Sequence, residues 1–490
     1  MRFLLCSLAV CLTAAPLAAQ TPAPTSVGPV LSLNEALDIA RRNNPTYLQT
    51  VEGRRRASAA VRSAYGDLLP NINSSFSTQF RQGRPQLING VAFGASGDQI
   101  SSGYSISANL NLSGASILAP KAQRASATAT EAEIAASAAT LRMDVTQQYL
   151  AVLQQQARAR LQDTLVATTQ AQLELARIRQ SVGSATPLEV QQAEVALGQQ
   201  QVAALQAQNQ AEVEKLRLFQ MMGVTQPEGV QLTTEFPIEQ PQLSLDQLLQ
   251  LARSQNPTLT ALRARRRASD IGVAQARSEY FPSLSVSTGI GGYTSQFTDD
   301  DFLIGQRLGN LRGGCESENS LRELVGLPPT VPDCSALTLS PEQISEIRAG
   351  NRAFPFDFTQ NPWSIQASLS LPIFNGFSRE QRLQEAQVQR NEAQYRARAQ
   401  ELQLTADVTG AYLTLMSDFQ AVQLQEQNAR TARQALLLAQ ERYRVGASNF
   451  VELSQARDTY TRAEVDRINA IYEFHRAYAA LEGAVGRPLR

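Results

Sequence analysis

The chain has 490 residues, with 44 basic and 44 acidic side chains and a single His. That balance gives nucleic acid or a polyanionic substrate no electrostatic handle. Aromatic residues reach only 6%, and the wealth of Ala and Gln suits long solvated helices better than one thick apolar core.

Residues 1–19 read as a secretory signal. Arg2 supplies the positive start, Phe3 to Ala15 is apolar, and Leu17-Ala18-Ala19 offers a small-residue cleavage site. Lipid attachment at Cys11 is the less favoured alternative, because Val10 stands where a small residue is expected. Residues 20–30 form a Pro-rich, flexible lead-in. Beyond them no apolar run approaches the ~20 residues of a membrane-crossing helix. The expectation is an exported chain anchored by something other than helices.

The rest is a tandem repeat, 31–230 and 231–490. Ser32–Thr46 reads SLNEALDIARRNNPT, and Ser244–Thr258 reads SLDQLLQLARSQNPT. Each opens on a capping box, Ser32 with Glu35 and Ser244 with Gln247, and each stops at Asn-Pro. Arg54-Arg55-Arg56-Ala57-Ser58 recurs as Arg265-Arg266-Arg267-Ala268-Ser269, and Met222-Gly223 corresponds to Val485-Gly486.

Four segments then alternate with a period of two, which predicts strands over 71–81, 102–112, 283–293 and 363–371. In the second, Tyr104, Ile106, Ala108, Leu110 and Leu112 alternate with Ser105, Ser107, Asn109 and Asn111. The polar faces carry almost only Ser, Asn, Gln and Gly. Each strand is ~9–11 residues long, the length a tilted membrane strand needs. Four strands do not close a barrel, which needs at least about eight, and an open edge does not survive in lipid. Strands in a membrane therefore call for several chains in one barrel: two would give eight strands, three would give twelve.

Long helix hairpins follow the strands, over 119–222 and 376–485. The outgoing helix of the first covers about 64 residues, or roughly 95 Å. Leu141, Val145, Tyr149 and Val152 recur at spacings of three and four, so the helices pack sideways as coiled-coil pairs. The two repeats differ at 294–362, read as a long external loop with a short helix from Pro341. It carries Asp299-Asp300-Asp301, read as a solvated tip, and the two mature cysteines. In an oxidising compartment Cys315 and Cys334 are expected to pair, closing a loop worth about 3 kcal/mol. With one His, no metal site and no cofactor are expected.

Each hairpin turns on a duplicated stretch. Arg179–Ala193 reads RQSVGSATPLEVQQA, and Arg442–Ala456 reads RYRVGASNFVELSQA. Gly183 and Gly446 are placed to end the outgoing helices at positive φ. Glu189 and Glu452 follow in the first turn of the returning helices. There they are either acids favoured by the helix dipole or members of a charged ring around a narrow axis.

The duplicated Asn-Pro starts, the strand exit Leu371-Pro372-Ile373-Phe374-Asn375-Gly376 and the two Val-Gly turns together resemble the TolC family of outer membrane efflux proteins. The resemblance covers nearly the whole mature chain. It implies a mainly α protein with a transmembrane β-barrel: a homotrimer with one twelve-stranded barrel in the outer membrane, continued by a helical tunnel in the periplasm. It implies partners too, a periplasmic adaptor and an inner membrane pump, and passive conduction of exported small molecules. An outer membrane duct for type I protein secretion is the alternative.

At the turns the resemblance implies a gate that includes Gly183, Glu189, Tyr443, Gly446 and Glu452. A linking Arg of some members is Ser448 here, and a second ring acid is Gln455. Arg442 or Arg444 is then the candidate cation linking the hairpins. An enzyme is not expected, because the chain has no phosphate-binding Gly loop, Cys/His cluster or nucleophile elbow. A porin would carry its own full set of strands, and a coiled-coil scaffold would lack them.

Overall fold

The computed structural model describes residues 28–83, 86–88, 91–93, 97–239, 242 and 244–489. The signal at 1–19 and most of the lead-in lie outside these. The first repeat runs β1 (Val30–Leu31), α1 (Leu33–Asn43), α2 (Pro45–Gly66), β2 (Asn71–Arg81), β3 (Gln86–Ile88), β4 (Val91–Phe93), β5 (Gln99–Leu112), α3 (Gly114–Ser181) and α4 (Pro187–Met222). The second runs β6 (Gln231–Leu232), α5 (Leu245–Gln255), α6 (Pro257–Ser278), β7 (Ser283–Phe297), α7 (Asp300–Leu324), α8 (Pro341–Gly350), β8 (Thr359–Gln360), β9 (Ser364–Ser370), α9 (Ser378–Arg444) and α10 (Phe450–Val485). The chain forms two compact units.

The first unit takes Met1–Ser58, Ala125–Ser269 and Arg390–Arg490. The repeat shows in how its ends are tied. Asn44 donates its side-chain amide to the Met221 carbonyl at 2.8 Å, and Asn256 does the same to Ala484 at 2.9 Å. Their Oδ1 atoms accept the N–H groups of Tyr47 and Leu259. The Asn of each Asn-Pro pair thus caps one helix and clasps the end of another, satisfying two termini at once.

Gly223 and Gly486, at φ 74° and 89°, end α4 and α10 against the same Asn-Pro segments. A Cβ on Gly223 would lie 2.3 Å from the Asn43 carbonyl oxygen, and one on Gly486 would lie 2.5 Å from Pro257 Cδ. Behind these ties sit two small cores. Leu141, Val145 and Tyr149 of α3 pack with Leu218 of α4 and Leu37 of α1. Their counterparts Leu404, Val408 and Tyr412 of α9 pack with Leu481 of α10 and Leu248 of α5. The strands β1 and β6 pair in parallel and join the repeats, with Tyr149 donating to the Leu31 carbonyl at 2.8 Å.

The second unit, Ala59–Arg124 with Asp270–Gln389, holds the sheet. Its order is β2-β5-β7, with β8 and β9 both pairing β7. The antiparallel register puts like against like. Leu112, Leu284 and Leu369 share one row, and Leu110, Val286 and Ala367 another. On the opposite face Asn111, Ser285 and Ser368 align, as do Asn109, Ser287 and Gln366.

Ser75 and Ser105 hydrogen-bond across the strands at 2.8 Å, and Ser285 and Ser368 at 2.7 Å. On the apolar face Ile72 is 71% exposed and Leu369 72%, while Phe356 and Phe358 pack over Phe76 and Tyr104 at one end. Among the described residues, the outer edges of β2 and β9 have no strand partner.

Two details differ from the sequence expectation. β5 and β7 run longer than 102–112 and 283–293, and α3 starts at Gly114 because Ser113 Oγ accepts the Ser116 N–H at 3.1 Å. More important, the segment 294–362 is not a long irregular loop. It contains the 25-residue α7 as well as α8.

Gly305, Gly309, Gly313 and Gly314 lie inside α7 and lower its intrinsic helicity by up to ~1 kcal/mol each. Tertiary ties offset that. Asp299 caps the start by accepting the Asp301 N–H, which is the role of the Asp run. Asn351 bonds both backbone groups of Phe297 and the Asp300 carboxylate. Arg312 donates to the Leu337 carbonyl, and Cys315 is disulfide-bonded to Cys334.

Candidate functional site

The two duplicated turns lie in the first unit and touch each other. Each outgoing helix ends in the same backbone device. Ser184 N–H bonds the Arg179 carbonyl and Gly183 N–H the Gln180 carbonyl. Ala447 and Gly446 repeat this on Arg442 and Tyr443. This double bond needs a left-handed residue in the middle, and Gly183 and Gly446 supply it at φ 75° and 78°. The Val182 and Val445 side chains before them stand in solvent, 73% and 71% exposed.

The returning helices are capped alike. Thr186 accepts the Glu189 N–H at 3.3 Å, and Asn449 accepts the Glu452 N–H at 2.9 Å. Both glutamates therefore hold the first-turn position that the helix dipole favours. Their carboxylates, however, are wired differently. Glu452 takes Arg442 of its own hairpin at 2.6 Å, with both side chains about half exposed. Glu189 accepts the hydroxyl of Tyr443, from the other hairpin, at 3.1 Å.

Tyr443 is fully buried beneath that bond. Its ring packs with Leu173, Ala176 and Val190 of the first hairpin and with Phe450 and Leu453 of its own. Arg179 closes the junction from the other side. Its guanidinium stacks over the Tyr443 ring at 4.2 Å, donates to the Tyr443 carbonyl at 2.6 Å and donates to the Ser184 carbonyl at 3.1 Å. One arginine thus ties the end of α9 to the end of α3. Burial, and then the neighbouring Glu189 charge, push the Tyr443 hydroxyl above its ordinary pKa, while Arg179 pulls the other way. The phenol stays a donor.

Between the two hairpins of this one chain the bridging cation is Arg179; Arg442 and Arg444 do not span them. Arg442 is engaged by Glu452, and Arg444 pairs with Glu441 on the surface of α9. The sequence signal for Arg179 is its place in the duplicated stretch, at the position of Arg442. What the repeat hides is that the next residue is Gln180 in one copy and Tyr443 in the other. Ser448 Oγ has no hydrogen-bond partner and adds no link. Among the described residues no cluster of His, Cys, Asp and Glu could hold a metal, and no helix is long and apolar enough to cross a membrane.

Long antiparallel hairpins carried with the sheet of β2, β5, β7, β8 and β9, one face apolar and the other polar and uncharged, define a class of outer membrane export duct. Comparisons give the family. The sequence pattern of the outer membrane efflux protein family matches residues 36–224 and 337–487, and the chain belongs to that family. Its place is the outer membrane, with the helical part in the periplasm. No curated protein matches the sequence.

Solved structures share the fold at low identity. The CmeC outer membrane channel of Campylobacter jejuni is 16% identical, covers 93% of this chain and 85% of its own, and has a TM-score of 0.70. The MtrE outer membrane channel of Neisseria gonorrhoeae, in its open state, is 18% identical over 95% and 94%, with a TM-score of 0.66. The VceC outer membrane protein of Vibrio cholerae is 16% identical over 94% and 97%, also with a TM-score of 0.66.

Proposed function

We propose that three copies of this chain close a single twelve-stranded barrel and conduct small molecules handed over by an inner membrane pump and a periplasmic adaptor. The observation that carries this is the sheet. Among the described residues its two outer edges are unpaired, and large apolar side chains such as Ile72 and Leu369 stand exposed on one face. Lipid tolerates the face but not the edges, so β2 of one copy pairs β9 of the next. The uncharged Ser, Asn and Gln face then lines the lumen, and the apolar face meets lipid. The hairpin turns are the periplasmic gate, held shut by the Arg179–Tyr443–Glu189 junction. No catalytic step is involved. Conduction of small molecules is preferred to protein secretion because the matching family is one of efflux proteins.

The test is a clean deletion in the native host. It should raise susceptibility to several unrelated toxic compounds, and plasmid-borne protein should restore resistance. The unheated protein extracted from outer membranes should run as a trimer on a denaturing gel and collapse to a monomer on boiling. A monomeric unheated protein, or a deletion that blocks export of a protein while leaving susceptibility unchanged, would contradict the proposal.

A further inference from the structure

A cavity of about 270 Å³ lies within the first unit, between α3 and α10. Ala135, Ala138, Ala139, Arg142 and Met143 of α3 form one wall, related by spacings of three and four along one helix face. Ala479 and Gly483 of α10 form the facing wall. Small residues on both helices could let the backbones close together. Instead the helices stand apart and leave an apolar slot. Gly483 keeps it in shape, since a Cβ there would lie 2.6 Å from Met143 Sδ.

The rim is cationic. Arg41 from the last turn of α1, Arg142 of α3 and Arg487 beyond α10 all border the cavity. Arg487 donates to Gln255 Oε1 and to the Pro488 carbonyl, both neutral acceptors. Arg41 and Arg142 form no ion pair among the described residues. The one acid at the rim, Glu482, accepts the Leu489 backbone N–H at 2.8 Å and so closes the turn after α10. Three guanidinium groups around an apolar slot, with one carboxylate turned to the backbone, leave a net demand for negative charge.

We propose that this cavity binds a small amphiphilic anion: a short apolar body in the slot and a carboxylate, sulfonate or phosphate group on the arginines. Guanidinium forks bind such oxyanions by paired, charge-assisted hydrogen bonds. An apolar cavity of about 150 Å³ holds benzene, so this one takes one or two aromatic rings or a short acyl chain. Two acyl chains do not fit, which excludes an intact diacyl lipid. The site joins α3 of the first repeat to α10 of the second, so its occupant braces the seam between repeats. It lies on different residues from the hairpin turns, and the proposal stands apart from the gate.

The experiment is calorimetric titration of the purified full-length protein in detergent with naphthalene-2-sulfonate, and with 2-naphthylmethylammonium as the cationic counterpart. The sulfonate should bind at one per chain, and the cation at least roughly tenfold more weakly. Arg142→Gln should weaken sulfonate binding roughly tenfold, and Ala139→Leu should abolish it by filling the slot. Unaltered folding of both variants is checked by helical circular dichroism. Absence of sulfonate binding to the native protein, equal binding of the cation, or binding unchanged in both variants would overturn the proposal.

Discussion

The two hairpin turns are copies with different wiring. Both use a left-handed Gly, a capped return helix and a Glu three residues past the cap. In the second turn the arginine and the glutamate satisfy each other, Arg442 with Glu452. In the first, both reach across to the other hairpin, and both find Tyr443. The difference comes from one position, where the residue after the arginine is Gln180 in one copy and Tyr443 in the other. The Tyr443 ring gives Arg179 a face to stack on, its hydroxyl gives Glu189 a donor, and the two hairpins are joined there. The Glu452 charge has a cation beside it in Arg442.

Substitutions at the junction should grade with this asymmetry. The largest effect is expected from Tyr443→Ala, which removes a fully buried ring, its stacking with Arg179 and its hydroxyl bond to Glu189, while the backbone carbonyl that Arg179 binds stays. By comparison with buried aromatic deletions it costs about 3 kcal/mol or more of local stability. Single-channel conductance in planar bilayers should rise several-fold, and cells should become sensitive to large antibiotics that the closed duct excludes. Glu189→Ala leaves the ring in place and removes one partly buried acceptor, a loss of about 1 kcal/mol. It should raise the open fraction of the channel without raising the maximal conductance.

The smallest expected effect is that of pH. An ordinary tyrosine keeps its proton to about pH 10, and burial and Glu189 raise Tyr443 above that. A raised folded pKa means the stabilisation is complete below the ordinary value and is lost only as pH climbs through the raised one. Conductance should therefore stay level from about pH 6 to pH 9. A step within that window would point to a group other than Tyr443.

Much of this molecule was readable from residue order. Capping boxes, Asn-Pro stops, period-two strands and Val-Gly turns are local signals, and they write the same element twice. What escaped was set by contacts between distant segments. α7 carries four glycines and looks like loop, yet it is helical because Asn351, Leu337 and Cys334 hold it from outside. At the tip, the family resemblance pointed to Glu189, Tyr443, Glu452 and both glycines. It did not show which arginine spans the gap, because Arg179 and Arg442 occupy the same place in the repeat. Reach across to a neighbouring hairpin is a property of packing, and periodicity does not encode it.

In the proposed gate one cross-hairpin arginine, Arg179, and not its copy Arg442, holds the duct shut. Single-channel recording of Arg179→Gln beside Arg442→Gln tests it most directly. Arg179 makes two backbone hydrogen bonds and a stacking contact, together worth about 2 kcal/mol or more, whereas a half-exposed pair such as Arg442–Glu452 contributes about 1 kcal/mol at most. Arg179→Gln should show a clear rise in open-channel current, and Arg442→Gln near-native traces. Equal currents in the two variants, or opening by Arg442→Gln alone, would contradict it.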